Sequence, residues 1–165
     1  MTPRTSPSHG EPLQRGGAPA LPEEVVKLNR EDRRRLPKVL GPADAANVVR
    51  ILVCPEHHEG QLVLALDWSG QVCGAEFRCP CEACRDELLV DGSQLAALTT
   101  ALGGIELVLA TFVDDEQLAP TAADVARFEG LRVECADESV ELLDHLLFSG
   151  HRWRSICKVS VARGA

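Results

Sequence analysis

Several features that help to classify a protein are scarce or missing in this chain. It has no tyrosine and one methionine among 165 residues. The missing tyrosine, beside abundant alanine, valine, arginine and glycine, points to a GC-rich genome and excludes no function. No apolar run reaches membrane-spanning length, which indicates a soluble protein. No apolar signal segment is present near the N-terminus, so we expect the chain to stay in a reducing compartment, where disulfides are rare.

Recognisable catalytic and nucleotide-binding motifs are also missing. The glycine pair at 103–104 lacks both the Lys-Ser/Thr of a P-loop and the spacing of a dinucleotide fingerprint. The acidic pair at 114–115 precedes a proline-bearing loop and is interpreted as solvated turn residues. A Cys–His nucleophile at Cys54 is conceivable, but Cys-x-x-His in one tight loop suits metal ligation better, because an attacking thiolate needs a separately oriented base. We interpret His145 and His151 as surface or end-cap residues.

The formal net charge of −8 is unevenly distributed along the chain. Up to position 40 there are eight Lys/Arg and five Asp/Glu, whereas beyond it there are nine and twenty. The larger, acidic part therefore argues against broad nucleic-acid binding. The residues that favour such binding are the N-terminal arm and a basic end formed by Arg152, Arg154, Lys158 and Arg163.

Cysteine and histidine are concentrated in two clusters between positions 54 and 84. The first cluster is Cys54, His57 and His58; the second is Cys79, Cys81 and Cys84, with Cys73 shortly before it. Thiolate and imidazole groups two or three residues apart are typical ligands of tetrahedral zinc, and two short loops complete such a site. We therefore predict one structural zinc ion, held by Cys54, His57 or His58, Cys81 and Cys84, with Cys79 as a substitute ligand or neighbouring thiol.

Unligated thiols, disulfides and redox chemistry are the alternatives to zinc. Buried cysteine often behaves as a small hydrophobic residue, and we predict this role for Cys135 and Cys157, which lie in apolar stretches. Cys73 fits either role. The expected reducing compartment argues against disulfides.

Composition divides the chain into three regions. Residues 1–22 are rich in proline, glycine and polar residues and are predicted to be a disordered arm. Residues 23–40 are predicted to be a basic helical or linker segment, whose run at 33–35 is either a solvated charged face or a nuclear-import patch. Residues 41–165 are long enough for a single domain with its own core.

The apolar pattern of the third region predicts alternating helices and strands. In order, these are a helix, or a helix running into a strand, at 43–53, a hairpin from strands 61–68 and 71–77, and a helix from 92–93 to 103–104. A strand at 105–113, a helix from Thr121 to 130, a strand at 131–135, a helix at 139–150 and a strand at 153–162 follow. The predicted fold is α+β: a mixed sheet with about three helices and a zinc-bound hairpin at one end.

Four segments taken together resemble a known viral family. They are VVRILVCPEHH, WSGQVCGAEFRCPC, VDGSQLAAL and ESVELLDHLLFSGHRW, within residues 44–162. In this order they resemble the adenovirus early region four 34K protein family, which carries zinc-ligating cysteine and histidine at the corresponding places. Members of that family are longer and continue into elongin-binding boxes and an arginine-rich helix. A small nuclear protein family of alphaherpesviruses shares the Cys-x-Cys pair and is the second choice.

The resemblance implies a viral early regulatory protein that acts as a non-enzymatic adaptor. It implies a location in the host nucleus, with the cytoplasm as an additional site, host or viral protein partners, recruitment to a ubiquitin ligase, and effects on viral mRNA export. No membrane partner is expected. Phe148 and Trp153 are predicted as partner-binding anchors, with a core position as the alternative. A zinc-binding nucleic-acid module and a thiol redox or metal-handling enzyme are the alternative functions.

Overall fold

The computed structural model describes residues 28–53, 59–78 and 91–158, and this part of the chain is an α+β protein. Its α-helices are α1 (Arg30–Arg35), α2 (Pro42–Leu52), α3 (Gly92–Ala101) and α4 (Ala122–Asp137). Its strands are β1 (Gly60–Leu66), β2 (Val72–Arg78), β3 (Glu106–Phe112), β4 (Glu141–Ser149) and β5 (Arg152–Ser155). A 3₁₀ turn spans Asp115–Gln117. The predicted α+β class and mixed sheet are confirmed.

The five strands form one sheet in the order β2-β1-β3-β4-β5. β1 pairs antiparallel with both β2 and β3, and β4 pairs antiparallel with β5. β3 and β4 are parallel, so a crossover must connect them, and α4 is that crossover. The sheet in the described part of the chain therefore consists of the β1–β2 hairpin, the parallel pair β3 and β4, and the short edge strand β5.

Helices cover both faces of the sheet. On one face, α2 packs over Leu62, Leu64, Phe112 and Phe148. On the other, α3 and α4 pack over a second core cluster that includes Val63 and residues of β3 and β4. Because both faces are buried, the strands carry nearly continuous apolar residues rather than a strict alternation.

Local sequence signals explain where the helices begin. Thr121 caps α4 in a reciprocal box with Asp124, as the predicted cap at Thr121 requires. Pro42 occupies the first turn of α2, where its missing N–H costs nothing. Asp91, one residue before the predicted cap, accepts from the backbone N–H of Gln94 at 2.8 Å and starts α3.

The predicted strand at 131–135 is wrong, because these residues form the second half of α4. Leu131 and Cys135 lie one helical turn apart and are buried, whereas Val133 between them is 62 % exposed. Side chains four residues apart lie on the same face of a helix, whereas a strand would bury Val133 together with Leu131 and Cys135. Gly130, taken as the end of the preceding helix, lies inside α4.

The predicted helix at 139–150 is also wrong, because residues 141–149 form β4. Leu142 and Leu147 face α3 and α4, whereas Leu146 and Phe148 face α2. A strand buried on both faces has apolar residues at helical spacings as well, so periodicity alone cannot separate the two. The predicted strand at 153–162 is shorter than expected: β5 ends at Ser155, residues 156–158 are helical, and 159–165 lie outside the described residues.

Two glycines on α3 and α4 give a matched stability test. A Cβ on Gly92 would lie 2.9 Å from the carbonyl oxygen of Leu131 and would also collide with Glu134, so Gly92→Ala should lower the free energy of unfolding by about 1–3 kcal/mol. A Cβ on Gly130 meets nothing within 4 Å. Gly130→Ala should therefore raise the free energy of unfolding by about 1 kcal/mol, because alanine favours helix. Urea denaturation measures both; a stable Gly92→Ala variant would contradict the α3–α4 packing.

Candidate functional site

The β1–β2 hairpin brings the chain positions next to both Cys/His clusters to one end of the sheet. The first cluster is followed by Glu59 and β1, and the second begins directly after Arg78, the last residue of β2. Gln61 lies opposite Arg78 in the hairpin register. Gly60 is so close to β2 that a Cβ there would lie 2.8 Å from the carbonyl oxygen of Arg78. We call this end of the sheet the cluster end.

The six predicted ligands lie outside the described residues: Cys54, His57, His58, Cys79, Cys81 and Cys84. Within the described ranges, no group of three His, Cys, Asp or Glu side chains is placed to hold a metal ion. The zinc site therefore stays a prediction, supported by where the hairpin ends.

The structure separates Cys73 from the cluster end. Cys73 lies near the start of β2, and its thiol is 3.8 Å from the carbonyl oxygen of Gln71 in the β1–β2 turn. Arg78 is five residues further along the strand, a distance of about 16 Å. Burial raises the pKa of the Cys73 thiol, which keeps it protonated. Cys73 is thus a poor candidate for the metal shell.

The other two described cysteines belong to the core. Cys135 is fully buried in α4, and its thiol lies 3.4 Å from the carbonyl oxygen of Gly92. Burial raises its pKa to about 11, so the thiol is neutral and unreactive. Cys157 is half-buried against the same core, and burial raises its pKa too. The predicted buried role is confirmed for Cys135.

A buried carboxylate organises the turn that follows β5. Asp144 on β4 accepts from the Ser155 hydroxyl at 2.7 Å and from the backbone N–H of Cys157 at 3.2 Å. A third bond, at 2.7 Å, comes from the backbone N–H of His145. Burial raises the pKa of Asp144, and these hydrogen bonds oppose that rise. With three donors already bound, Asp144 holds the chain after β5 in place rather than serving as an open base.

A pocket of about 260 Å³ lies beside Asp144. Its walls are largely apolar and include Val39, Pro42, Val108 and Leu143. Cys157 and Lys158 also line it. Burial raises the pKa of Cys157 and disfavours its thiolate, so this thiol is not an activated nucleophile.

A row of polar side chains crosses the face covered by α4. The Nε2 atom of His145 lies 2.8 Å from the Thr111 hydroxyl, which also accepts from the side-chain amide of Gln61 at 3.4 Å. His145 is 9 % exposed, so its predicted surface position is wrong, whereas His151 in the β4–β5 turn is exposed as predicted. Burial lowers the pKa of His145 to about 4, which keeps the imidazole neutral. We interpret the row as a structural hydrogen-bond network.

The two predicted partner-binding aromatics sit in or against the core. Phe148 is 1 % exposed and stacks on Phe112, with ring centroids 5.4 Å apart. Trp153 lies opposite Phe148 in the β4–β5 register and is half-buried against the same cluster. Phe148 therefore occupies the alternative, core position and offers almost no surface to a partner.

Large exposed apolar side chains occur instead at the sheet end opposite the cluster end. Trp68 in the β1–β2 turn is 82 % exposed, Leu40 is 81 % exposed and Ile105 is 51 % exposed. The backbone connects these residues: the N–H of Ile105 donates to the carbonyl of Leu66 at 3.0 Å, and that of Val39 donates to Gly70 at 2.8 Å. We call Leu40, Trp68 and Ile105 the Trp68 surface. The sequence offered one signal for it, a tryptophan at the last position of the predicted strand 61–68, directly before the Ser-Gly turn.

Comparisons with protein-family models and with curated proteins indicate no family for this chain. A scan against protein-family models finds no match for this chain, and a search of curated proteins finds no significant match. None of the helices in the described ranges is long and apolar enough to cross a membrane.

Buried His145 predicts a pH dependence of stability. Its pKa is about 4 when folded and about 6.5 when exposed, so the unfolded chain binds the extra proton between these values. Stability from this group should be complete above pH 6.5 and fall by up to about 3 kcal/mol as the pH drops towards 4. Urea denaturation at several values between pH 4 and 7 gives the free energy of unfolding as a function of pH. This free energy should depend less steeply on pH in His145→Gln than in wild type. Equal slopes would contradict a buried neutral imidazole.

Proposed function

We propose that this protein is a zinc-stabilised, non-enzymatic binding protein that acts as an adaptor between other proteins. The observation that supports it most is the hairpin register, in which Gln61 lies opposite Arg78. Because of this register, the described residues next to the two clusters, Glu59 and Arg78, lie at the same end of the sheet. Four cysteines and two histidines are a donor set that suits tetrahedral zinc.

Zinc at the cluster end would connect the layers of the fold. The first cluster lies between α2 and β1, and the second lies between β2 and α3. α2 and α3 cover opposite faces of the sheet. Ligands drawn from both connections would therefore fix both helices relative to the hairpin, and metal binding would contribute directly to folding stability.

The proposal favours binding over catalysis because the two buried titratable groups on β4, Asp144 and His145, already have structural partners. Asp144 accepts three hydrogen bonds, and His145 is buried, neutral and bonded to Thr111. A zinc ion with four protein ligands has no open position for a reacting water. The raised thiol pKa values of Cys73, Cys135 and Cys157 argue against the thiol redox alternative for these three.

The Trp68 surface is the best-supported partner site. Trp68 is 82 % exposed, although tryptophan side chains are on average highly buried. Tryptophan is also enriched among the residues that dominate the binding energy of interfaces. Leu40 and Ile105 extend the same end of the sheet. This surface replaces Phe148 as the proposed anchor. The viral origin, nuclear location and ubiquitin-ligase recruitment implied by the 34K resemblance stay predictions.

Metal analysis tests the zinc part of the proposal. Purified protein should contain about one zinc ion per chain, because one tetrahedral shell uses four of the six donors. Removal by a chelator should lower the melting temperature sharply or cause aggregation. Cys81→Ser/Cys84→Ser should lose the metal, whereas the control Cys73→Ser, on the same hairpin, should keep it. Metal-free protein whose melting is insensitive to chelator would overturn the zinc site.

Paired exposed-residue variants test the binding part. Trp68→Ala should abolish capture of a partner from host-cell extract while zinc content and melting temperature stay unchanged. The control is Val133→Ala, which changes an apolar side chain on α4 that is 62 % exposed. It should leave capture intact. Equal capture by both variants and wild type would show that the Trp68 surface is not the partner site.

A further inference from the structure

A basic groove surrounds β5, the edge strand of the sheet. The groove measures about 510 Å³. The residues that line it come from the end of α2, the β4–β5 turn, β5 and the turn after it: Arg50, His151, Arg152, Trp153, Arg154, Ser155 and Lys158. We call it the β5 groove.

The fold gathers positive charge here from distant parts of the sequence. Beyond position 40 the chain has nine Lys/Arg, and four of them line the β5 groove, which has no acidic residue in its wall. Arg50 is 101 residues from His151 in sequence, and its guanidinium donates to the His151 carbonyl oxygen. The groove is therefore a local positive field on an otherwise acidic domain.

Two of the four groove cations, Arg152 and Lys158, interact with neighbouring carboxylates, and the other two form no ion pair within the described residues. Arg152 pairs with Asp115 at 2.6 Å. The remaining ion pairs of the described residues lie on α1, β2 and α4, so Arg50, Arg154 and Lys158 form no ion pair within that part of the chain. Lys158 interacts electrostatically with the buried Asp144, so Arg50 and Arg154 are the groove cations that meet no carboxylate in an ion pair among the described residues.

The backbone of β5 adds hydrogen-bonding groups to the groove. Trp153 lies opposite Phe148, whose carbonyl accepts from Val113 on the β3 side. Phe148 and Trp153 are therefore a non-hydrogen-bonded pair of the antiparallel ladder. In such a pair, the backbone N–H and C=O of each residue point away from the other strand, so those of Trp153 point outward from the sheet edge. The outward Trp153 carbonyl accepts from the Arg154 guanidinium at 3.2 Å. An incoming extended chain could use the outward N–H.

We propose that the β5 groove binds an acidic, extended segment of a partner polypeptide, an inference that rests on the proposed binding function. Charge complementarity with the groove is the main attraction. The edge of β5 supplies backbone contacts to an extended chain, as in strand addition. A nucleic-acid backbone fits less well, because it would run from this short basic strip onto an acidic surface.

Fluorescence anisotropy with a labelled hexaglutamate peptide tests the inference on the full chain. Wild type should bind at about 50 mM salt and more weakly as salt is added. Arg154→Gln/Lys158→Gln should weaken binding about tenfold, because two groove cations are lost. Arg127→Gln/Arg132→Gln on α4 removes the same net charge outside the groove and should weaken binding less than twofold.

Three results would overturn the inference. Equal weakening by the two double variants would mean that overall charge, not the β5 groove, attracts the peptide. Equal binding of hexaglutamine would remove the need for acidic side chains. Tighter binding of an oligothymidylate, lost in Arg154→Gln/Lys158→Gln, would make the groove a nucleic-acid site. Zinc content measured on the same samples separates failure here from failure of the zinc-bound fold.

Discussion

The pairing of β1 with β2 is the constraint on which the rest of the structure depends. β1 is hydrogen-bonded on both sides, to β2 and β3, and is buried on both faces. A shift of one residue would turn Leu62 and Leu64 from the α2 face to the α3–α4 face, so both core clusters would lose their packing. The same register places Gln61 opposite Arg78, so the described residues next to the two Cys/His clusters lie at one end of the sheet.

The two ends of the sheet consequently have different surfaces. The cluster end lies far from the Trp68 surface, because β1 runs its full length between them. The β5 groove is on the opposite edge of the sheet from β2, three strands away from the hairpin. The Trp68 surface and the β5 groove adjoin at the pocket beside Asp144, because Leu40 of the first and Lys158 of the second both line it.

Sequence patterns predicted much of this fold where local signals were strong. The hairpin, β3 and the cap at Thr121 follow from alternation and capping chemistry. The sequence did not distinguish β4 from a helix, because a strand buried on both faces lacks the alternation of apolar and polar residues. The continuity of α4 was missed because Gly130 was taken as a helix end. The β5 groove could be predicted only in part, since Arg50 joins the basic end of the chain through tertiary contact alone.

The central claim is that zinc bridges the two clusters at the end of the hairpin, and X-ray absorption at the zinc edge tests it most directly. Protein purified without added metal should show a mixed first shell, with sulfur at about 2.3 Å and nitrogen at about 2.0 Å. Cys81→Ser/Cys84→Ser should lose that signal, and Cys73→Ser should reproduce the wild-type spectrum. A shell of oxygen alone, or one unchanged when Cys81 and Cys84 are replaced, would contradict the account.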